Sequence, residues 1–509
     1  MFDRRLHYDG AAPPLVTALN SEAQEGPDQE PSARSRSLSP GVIAMVPSVA
    51  QLPQARTETQ PNKREKALTL TAMSLGFVVV QLDVTIVNVA LKHIGASFGN
   101  GVAGLQWVVN AYTIAFASLI LTSGRAGDRF GARRVFVVGF GLFVLASLWC
   151  AVAPTIGLLI AGRLLQGTGA AILVPCSLAL LNHAYPGDKE RAGAIAIWAA
   201  GASAALAAGP VVGGLLIASL GWRSIFAVNL PLGLLGIWLT LRYAAESTTS
   251  ESKEMDLPGQ AAAIVVIGSL AAATIEGGSL GWTNPWVLSA YGVSLVAAVA
   301  FVVVEAKSKV PMLPLSLFRD RVFSAATGIG LLMNVGYYGL IFVLSLYFQE
   351  VNGYSALQAG LAFLPMTAVV LAANLIAGKV TGARGPRIPL VIGQALIVVG
   401  CLGLLPIVQR SSYGAMWAQL LLIGAGCGLS VPAMTSALLG TVKKEQSGIA
   451  SGVLNSSRQT GSVIGVSLFG SLIAARSGFV PGFHAALWIS AALTMCGCLL
   501  ALRTQPAKG

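Results

Sequence analysis

Charge is scarce in this chain. Of its 509 residues only 11% are Asp, Glu, Lys or Arg, against about a quarter in a soluble globular protein. Hydrophobic residues make up 54%, and the mean hydropathy is +0.71. Water is therefore excluded as the main solvent of the folded chain. Histidine is scarcer still, at four residues. With no H-E-x-x-H and no histidine cluster, no metal site and no resident cofactor are expected, and the chain is not read as an enzyme. A G-x-x-x-x-G-K-[ST] loop is also missing, and the polar loops are too short for an ATPase domain, which excludes a nucleotide-driven pump. The six cysteines, Cys150, Cys176, Cys401, Cys427, Cys496 and Cys498, all fall in apolar runs without C-x-x-C spacing, so they read as small apolar filler between helices.

What the chain has instead is a series of long apolar runs. Crossing the hydrocarbon core takes about 20 apolar residues. Fourteen runs near that size emerge, at 67–91, 103–123, 135–153, 157–181, 192–218, 225–243, 259–275, 286–304, 322–349, 357–378, 388–407, 414–440, 448–475 and 483–502. Residues 1–66 are rich in Pro, Ser, Gln, Glu and Arg, lack any spanning run and are expected to form a disordered cytoplasmic tail.

The net charge of +12 raises the question of a nucleic-acid partner, and the placement of the basic residues answers it. An even number of crossings puts both termini on one side. With the N-terminus inside, the cytoplasmic loops hold Arg125, Arg129, Arg133, Arg134, Lys189, Arg191, Lys253, Lys307, Lys309, Arg319, Arg321, Lys379, Arg384, Arg387, Lys443 and Lys444. The opposite side keeps Lys92, Arg223, Arg410 and Arg476. Such sorting is the positive-inside rule. It predicts a multi-pass protein of the inner (plasma) membrane with both termini cytoplasmic, the lipid bilayer as its partner and no nucleic acid.

The loop after the second run is echoed after the tenth. Gly124-Arg125, Gly131, Arg133 and Gly139 correspond to Gly378-Lys379, Gly385, Arg387 and Gly393, with Gly382 in place of Asp128. An internal repeat of this kind predicts two six-helix bundles, 67–243 and 322–503, separated by a two-helix insertion at 257–304.

Four segments carry a family resemblance. The first run contains Leu82-Asp83-Val84-Thr85-Ile86-Val87-Asn88-Val89-Ala90-Leu91, followed by Lys92 where a proline is usual. The loop from Gly124 to Arg134 contains Gly127, Asp128, Arg129, Gly131 and Arg133. The fourth run contains Arg163-Leu164-Leu165-Gln166-Gly167-Thr168-Gly169-Ala170, and the fifth Gly209-Pro210-Val211-Val212-Gly213-Gly214. Together they resemble the major facilitator superfamily, specifically its fourteen-span drug:proton antiporter family. The resemblance implies an all-α polytopic fold of two pseudo-symmetric six-helix bundles plus two extra central helices. It also implies export of small lipophilic or cationic compounds in exchange for protons, by alternating access. Gly124, Gly127, Asp128, Arg129, Gly131 and Arg133 then form a cytoplasmic gate motif, and Gly209, Pro210, Gly213 and Gly214 an antiporter motif. The physics of the latter says only that Pro210 loosens its helix and that Gly209 and Gly213 offer a close-packing face.

Among the acidic residues Asp83 alone lies well within a run, whereas Glu276, Glu305 and Glu350 fall at run ends. A rise of 1.5 Å per residue puts Asp83 about 6 Å, and Arg163 about 9 Å, to the outer side of the bilayer centre. The two charges thus share a depth, and they are the candidates for proton coupling. Burial favours the neutral acid and a nearby Arg the charged one, so wetting or pairing can switch its protonation. Gln81, Thr85, Asn88 and Lys92 form a stripe at helical spacing, and Asp83 points almost the opposite way. Either Asp83 or the stripe faces the pore.

Asn88, Trp107, Asn110, Tyr112, Trp198, Asn334, Tyr337 and Asn374 supply stacking and polar groups for a substrate cavity. The expected partners are protons and a small-molecule substrate, for a monomer that has room for a periplasmic adaptor. Dedicated export or import of one metabolite, or passive facilitation, are the competing readings.

Overall fold

The computed structural model describes residues 62–246, 255–406, 411–443, 446–474 and 478–502. The expected tail lies outside the described residues as far as residue 61. Its last residues instead open the first helix. Asn62 Oδ1 accepts from the Glu65 amide and Glu65 reaches back to the Asn62 amide, a reciprocal cap that satisfies first-turn donors.

All described regular structure is helical. In chain order, α1 is Lys63–Phe98, α2 Val102–Phe130, α3 Ala132–Val152, α4 Ile156–Ala184, α5 Asp188–Leu220, α6 Ser224–Tyr243 and α7 Leu257–Leu280. Then follow α8 Pro285–Lys307, α9 Arg321–Val351, α10 Ala356–Arg384, α11 Arg387–Gly403, α12 Trp417–Leu439, α13 Ser447–Ala474 and α14 Phe479–Leu502. Each overlies one of the apolar runs. Twelve are long and apolar enough to cross a membrane by length and composition. The exceptions are α11, with 17 residues, and α13, whose middle is the polar series Asn455, Ser456, Ser457, Arg458, Gln459, Thr460.

The packing repeats itself. α1 packs on α4, α5 and α6, α2 on α4, and α3 on α4 and α6; in the same order α9 packs on α12, α13 and α14, α10 on α12, and α11 on α12 and α14. Two six-helix bundles of one design result. Lipid gives apolar helices little reason to associate, so small residues that let backbones touch carry much of the adhesion. A Cβ on Gly169 would stand 2.8 Å from the Gly139 carbonyl across α3 and α4, and one on Gly426 would stand 2.4 Å from the Gly393 carbonyl across α11 and α12. The repeated loops match as well: Gly131 and Gly385 end α2 and α10 with φ of +92° and +79°, a region open to glycine at little cost.

The extra pair occupies the flank where the bundles meet. α7 packs on α2, α13 and α8. The outward side of α8 exposes Leu295, Val296 and Val299 by 58–70%, an apolar stretch that suits contact with acyl chains. Elsewhere the bundles touch along two seams, α5 with α10 and α2 with α13. One end of the molecule carries the arginines that follow α2 and α10 and is called the basic end below; the other is the far end.

Candidate functional site

Asp83 is 0% exposed and points into the first bundle. Arg163 Nη1 from α4 donates to its Oδ2, Gln166 Nε2 to its Oδ1 at 2.8 Å, and Asn229 Nδ2 from α6 to the same oxygen at 3.3 Å. Arg163, 1% exposed, also donates through Nε to the Val108 carbonyl at 3.1 Å and through Nη1 to Gln166 Oε1 at 2.7 Å. Gln166 Nε2 reaches Ser147 Oγ on α3 at 2.9 Å. The guanidinium lies 4.4 Å from the Tyr112 ring centroid and 5.8 Å from that of Phe226. A buried ion pair holds only where its remaining hydrogen-bonding groups are also served, and here helices α1, α2, α3, α4 and α6 all contribute.

The choice left open for α1 is resolved by its opposite face. Thr85, Asn88 and Val89 line a narrow crevice between the bundles, together with Leu206 and Pro210 on α5, Tyr337, Tyr338 and Ile341 on α9, and Phe363, Met366 and Thr367 on α10. The stripe therefore faces the inter-bundle space, and Asp83 the bundle interior. The crevice has room for about one water molecule.

Cross-bundle contacts close it toward the far end. Lys92 Nζ donates to the Gln349 carbonyl at 2.8 Å, and Ser345 Oγ donates to the Asn88 carbonyl. On the α5–α10 seam, Thr367 Oγ1 donates to the Ala207 carbonyl at 3.2 Å. Nearer the basic end of α10, Gly378 and Gly382 meet no neighbour within 4 Å.

The glycines of the fifth helix each serve a different contact. A Cβ on Gly209 would stand 1.9 Å from Thr85 Oγ1, and one on Gly213 would stand 2.7 Å from Val89 Cγ2, so both positions hold α5 against α1. One on Gly214 would stand 2.6 Å from Leu357 Cα on α10. Pro210 stays inside a continuous helix, and its carbonyl lies 2.2 Å from where a Cβ of Gly360 would be.

At the basic end, a Cβ on Gly124 would stand 3.7 Å from Pro175 Cβ, and one on Gly127 2.9 Å from Cys176 Sγ, so α2 lies close on α4. Arg129 stacks on Phe130, with 5.3 Å to the ring centroid. Arg133 donates to the Leu241 carbonyl. Asp128 lies within electrostatic range of Cys176. Arg125 donates to the carbonyls of Val310 and Pro311, fastening the segment between α8 and α9 to the end of α2.

Of the expected cavity residues, Asn88 and Tyr337 line the crevice. Trp107 turns to the insertion and donates to Glu276 at 3.2 Å. Asn110 is locked in the α2–α13 seam, donating to Ser467 Oγ at 2.9 Å. Tyr112 covers Arg163 inside the bundle. Trp198 stacks on Phe77 at 4.2 Å and donates to Ser177. Asn334 is buried against α13 and donates to the Gly330 carbonyl at 2.7 Å, and Asn374 is half-buried on α10. Residues not foreseen include Gln166 and Asn229, both polar within apolar runs and so visible in principle, and the apolar crevice wall, which has no such signature. Gly277-Gly278-Ser279-Leu280-Gly281 has the G-x-S-x-G spacing of a hydrolase elbow, which needs a strand-to-helix turn. Here it closes α7, and Ser279 Oγ donates to Glu276 at 2.9 Å.

The comparisons agree with this arrangement. Residues 73–466 match the family model described as Major Facilitator Superfamily. The chain is 39% identical over 412 residues to "Multidrug resistance protein Stp" of Mycobacterium tuberculosis, covering 81% of this chain and 76% of that one. It is 37% identical over 413 residues to "Methylenomycin A resistance protein" of Streptomyces coelicolor, covering 81% and 87%. Among solved structures, a bacterial homolog of the human lysosomal transporter Spinster, inward-facing and unoccupied, aligns with a TM-score of 0.61 at 15% identity over 88% of this chain and 100% of that one. With twelve helices fit to cross a membrane among the described residues, two bundles of one design and a family match over most of its length, this multi-pass membrane protein belongs to the Major Facilitator Superfamily.

Proposed function

We propose that the chain exports small antibiotic-like compounds from the cell in exchange for protons. On this reading it is a fourteen-span carrier of the plasma membrane, with its basic end and both termini cytoplasmic. The resistance and efflux names of its relatives support export. The observation that carries proton exchange is the placement of Asp83. It is a fully buried carboxylate, away from both helix ends, on the face of α1 opposite the crevice.

Deprotonated Asp83 holds α1 to α4 and α6 through Arg163, Gln166 and Asn229. Protonation removes the charge that Arg163 pairs with, weakens the attachment of α1 and shifts the balance between the two access states. The described state, closed at the far end with Asp83 paired, is then the one that has released its proton and takes substrate from the cytoplasm. After the far end opens, the substrate leaves and a proton neutralises Asp83, which returns the carrier.

The test is accumulation of an antibiotic panel that includes methylenomycin A, in cells expressing the chain, with and without a protonophore. Wild type should lower accumulation only while the gradient stands, and Asp83→Asn should abolish that effect. Gradient-driven export by Asp83→Asn at the wild-type rate rules out Asp83 as the coupling group.

A further inference from the structure

A second charged group stands outside the Asp83 network. Arg458 on α13 is half-buried, its Nε is enclosed without a hydrogen-bond partner, and no carboxylate forms an ion pair with it among the described residues. Its stem lies against α9, where a Cβ on Gly330 would stand 3.1 Å from Arg458 Cγ. Tyr338 on α9 and Cys427 on α12 both lie within electrostatic range of the guanidinium. The Tyr337 and Tyr338 rings meet edge to face at 5.4 Å. Tyr337 is 4% exposed and its hydroxyl has no partner. Both tyrosines line the crevice.

A cation at membrane depth normally has a partner or serves a ligand. None of the described carboxylates forms an ion pair with Arg458. Asp83 is held by Arg163, Glu276 accepts from Trp107 and Ser279, Glu305 accepts from the Leu313 amide, and Glu350 stands near Lys92 at the far end. What remains is a guanidinium in electrostatic range of Tyr338 on the crevice wall and, on the adjoining residue, an unpartnered Tyr337 hydroxyl; such donors are completed by acceptor oxygens carrying negative charge.

We propose that Arg458 and the Tyr337 hydroxyl form a subsite for an acidic group, and that the exported compounds are apolar molecules bearing a carboxylate, phenolate or enolate. This rests on the export reading above and narrows its substrate class, away from the cations that the family resemblance suggests. The acidic group docks on the second bundle, while the apolar body meets Ile341, Phe363 and Met366 on the crevice wall.

The experiment uses proteoliposomes of the full chain with an acidic interior, so that protons leaving drive uptake, and two dyes of opposite charge: fluorescein as the anion and ethidium as the cation. Wild type should take up fluorescein in a gradient-dependent, saturable manner and ethidium at most weakly. Arg458→Gln should slow fluorescein uptake about tenfold or more and raise that of ethidium, whereas Arg458→Lys should keep a substantial part of the fluorescein rate. Should the Gln variant fail to purify as a single species, Tyr337→Phe, which removes one hydroxyl, should weaken fluorescein uptake severalfold. Ethidium uptake without fluorescein uptake overturns the acidic subsite and leaves export standing. Uptake of neither dye overturns the subsite and counts against the export reading too. Equal fluorescein rates for wild type and Arg458→Gln, or for wild type and Tyr337→Phe where that variant is used, also overturn the subsite.

Discussion

Removing one charge of the Asp83–Arg163 pair should cost far more than removing both. Asp83→Asn keeps the side-chain shape, yet it leaves Arg163 with neutral acceptors alone, the new amide oxygen, the Val108 carbonyl and Gln166 Oε1, at 1% exposure. An uncompensated buried charge of this kind costs about 3–5 kcal/mol, whereas replacing a buried pair by neutral groups of similar volume is often close to neutral. Arg163→Met should be comparably destabilising, because Asp83 then keeps only Gln166 and Asn229 as neutral donors. The double variant Asp83→Asn/Arg163→Met should return to within about 1 kcal/mol of wild type, which implies a coupling energy of about 5 kcal/mol or more by a double-mutant cycle. Equilibrium unfolding of the purified protein in mixed micelles, followed by intrinsic fluorescence, measures all four forms. Single variants within about 1 kcal/mol of wild type would refute the reasoning, since the pair would then carry no net charge compensation. The double variant also separates scaffold from coupling: it should fold as wild type does and still fail to transport against a gradient.

Gly209→Ala should impair efflux by forcing α5 off α1, at a cost of about 1–3 kcal/mol for overpacking; adding Thr85→Ala, which removes the obstructing hydroxyl, should restore part of the activity, and equal efflux by Gly209→Ala and wild type would show that the two helices separate freely. Lys92→Met removes the 2.8 Å bond to the Gln349 carbonyl that ties the bundles at the far end. Labelling of Thr367→Cys by a membrane-impermeant thiol reagent added outside should rise severalfold in the Lys92→Met background, and unchanged labelling would count against this tie.

The repeat was legible because glycine leaves a mark in sequence wherever two backbones touch. Gly139 and Gly393, matched only by position after a basic turn, prove to face Gly169 and Gly426 in equivalent helix pairs. Depth was legible too, since rise per residue is fixed: Asp83 and Arg163, placed at one level by counting, are in contact. Helix ends were not. Caps such as that of Asn62 continue a helix into polar sequence, and α11 stops at Gly403, short of its apolar run. Facing was the least legible property. Trp107, Tyr112 and Trp198 offer the same chemistry whichever way they turn, and each is claimed by a partner that is distant in sequence: Glu276, Arg163 and Phe77. Thr367 and Met366 line the crevice without a charge or an aromatic ring to announce it.

On the proposed reading, the proton site and the substrate crevice share no side chain yet act on each other through one rigid element that belongs to both, α1. Asp83 and Thr85 are about 200° apart around its axis at 100° per residue. Arg163 grips one side, and the crevice opens on the other. The glycines of α5 extend the contact: Gly209 lies against Thr85 and Gly213 against Val89, while Pro210 and Gly214 on the same helix lie against Gly360 and Leu357 of α10. None of these contacts leaves space for independent sliding, because a packed interface shifts between discrete arrangements rather than deforming smoothly. On the proposed reading, a hydrogen ion taken up at Asp83 is therefore felt at the α5–α10 seam, where access to the crevice is set, without any change in the charge of the crevice itself. On the same proposed reading, Arg458 would keep a constant positive charge for an acidic substrate while the charge of Asp83 changes by one.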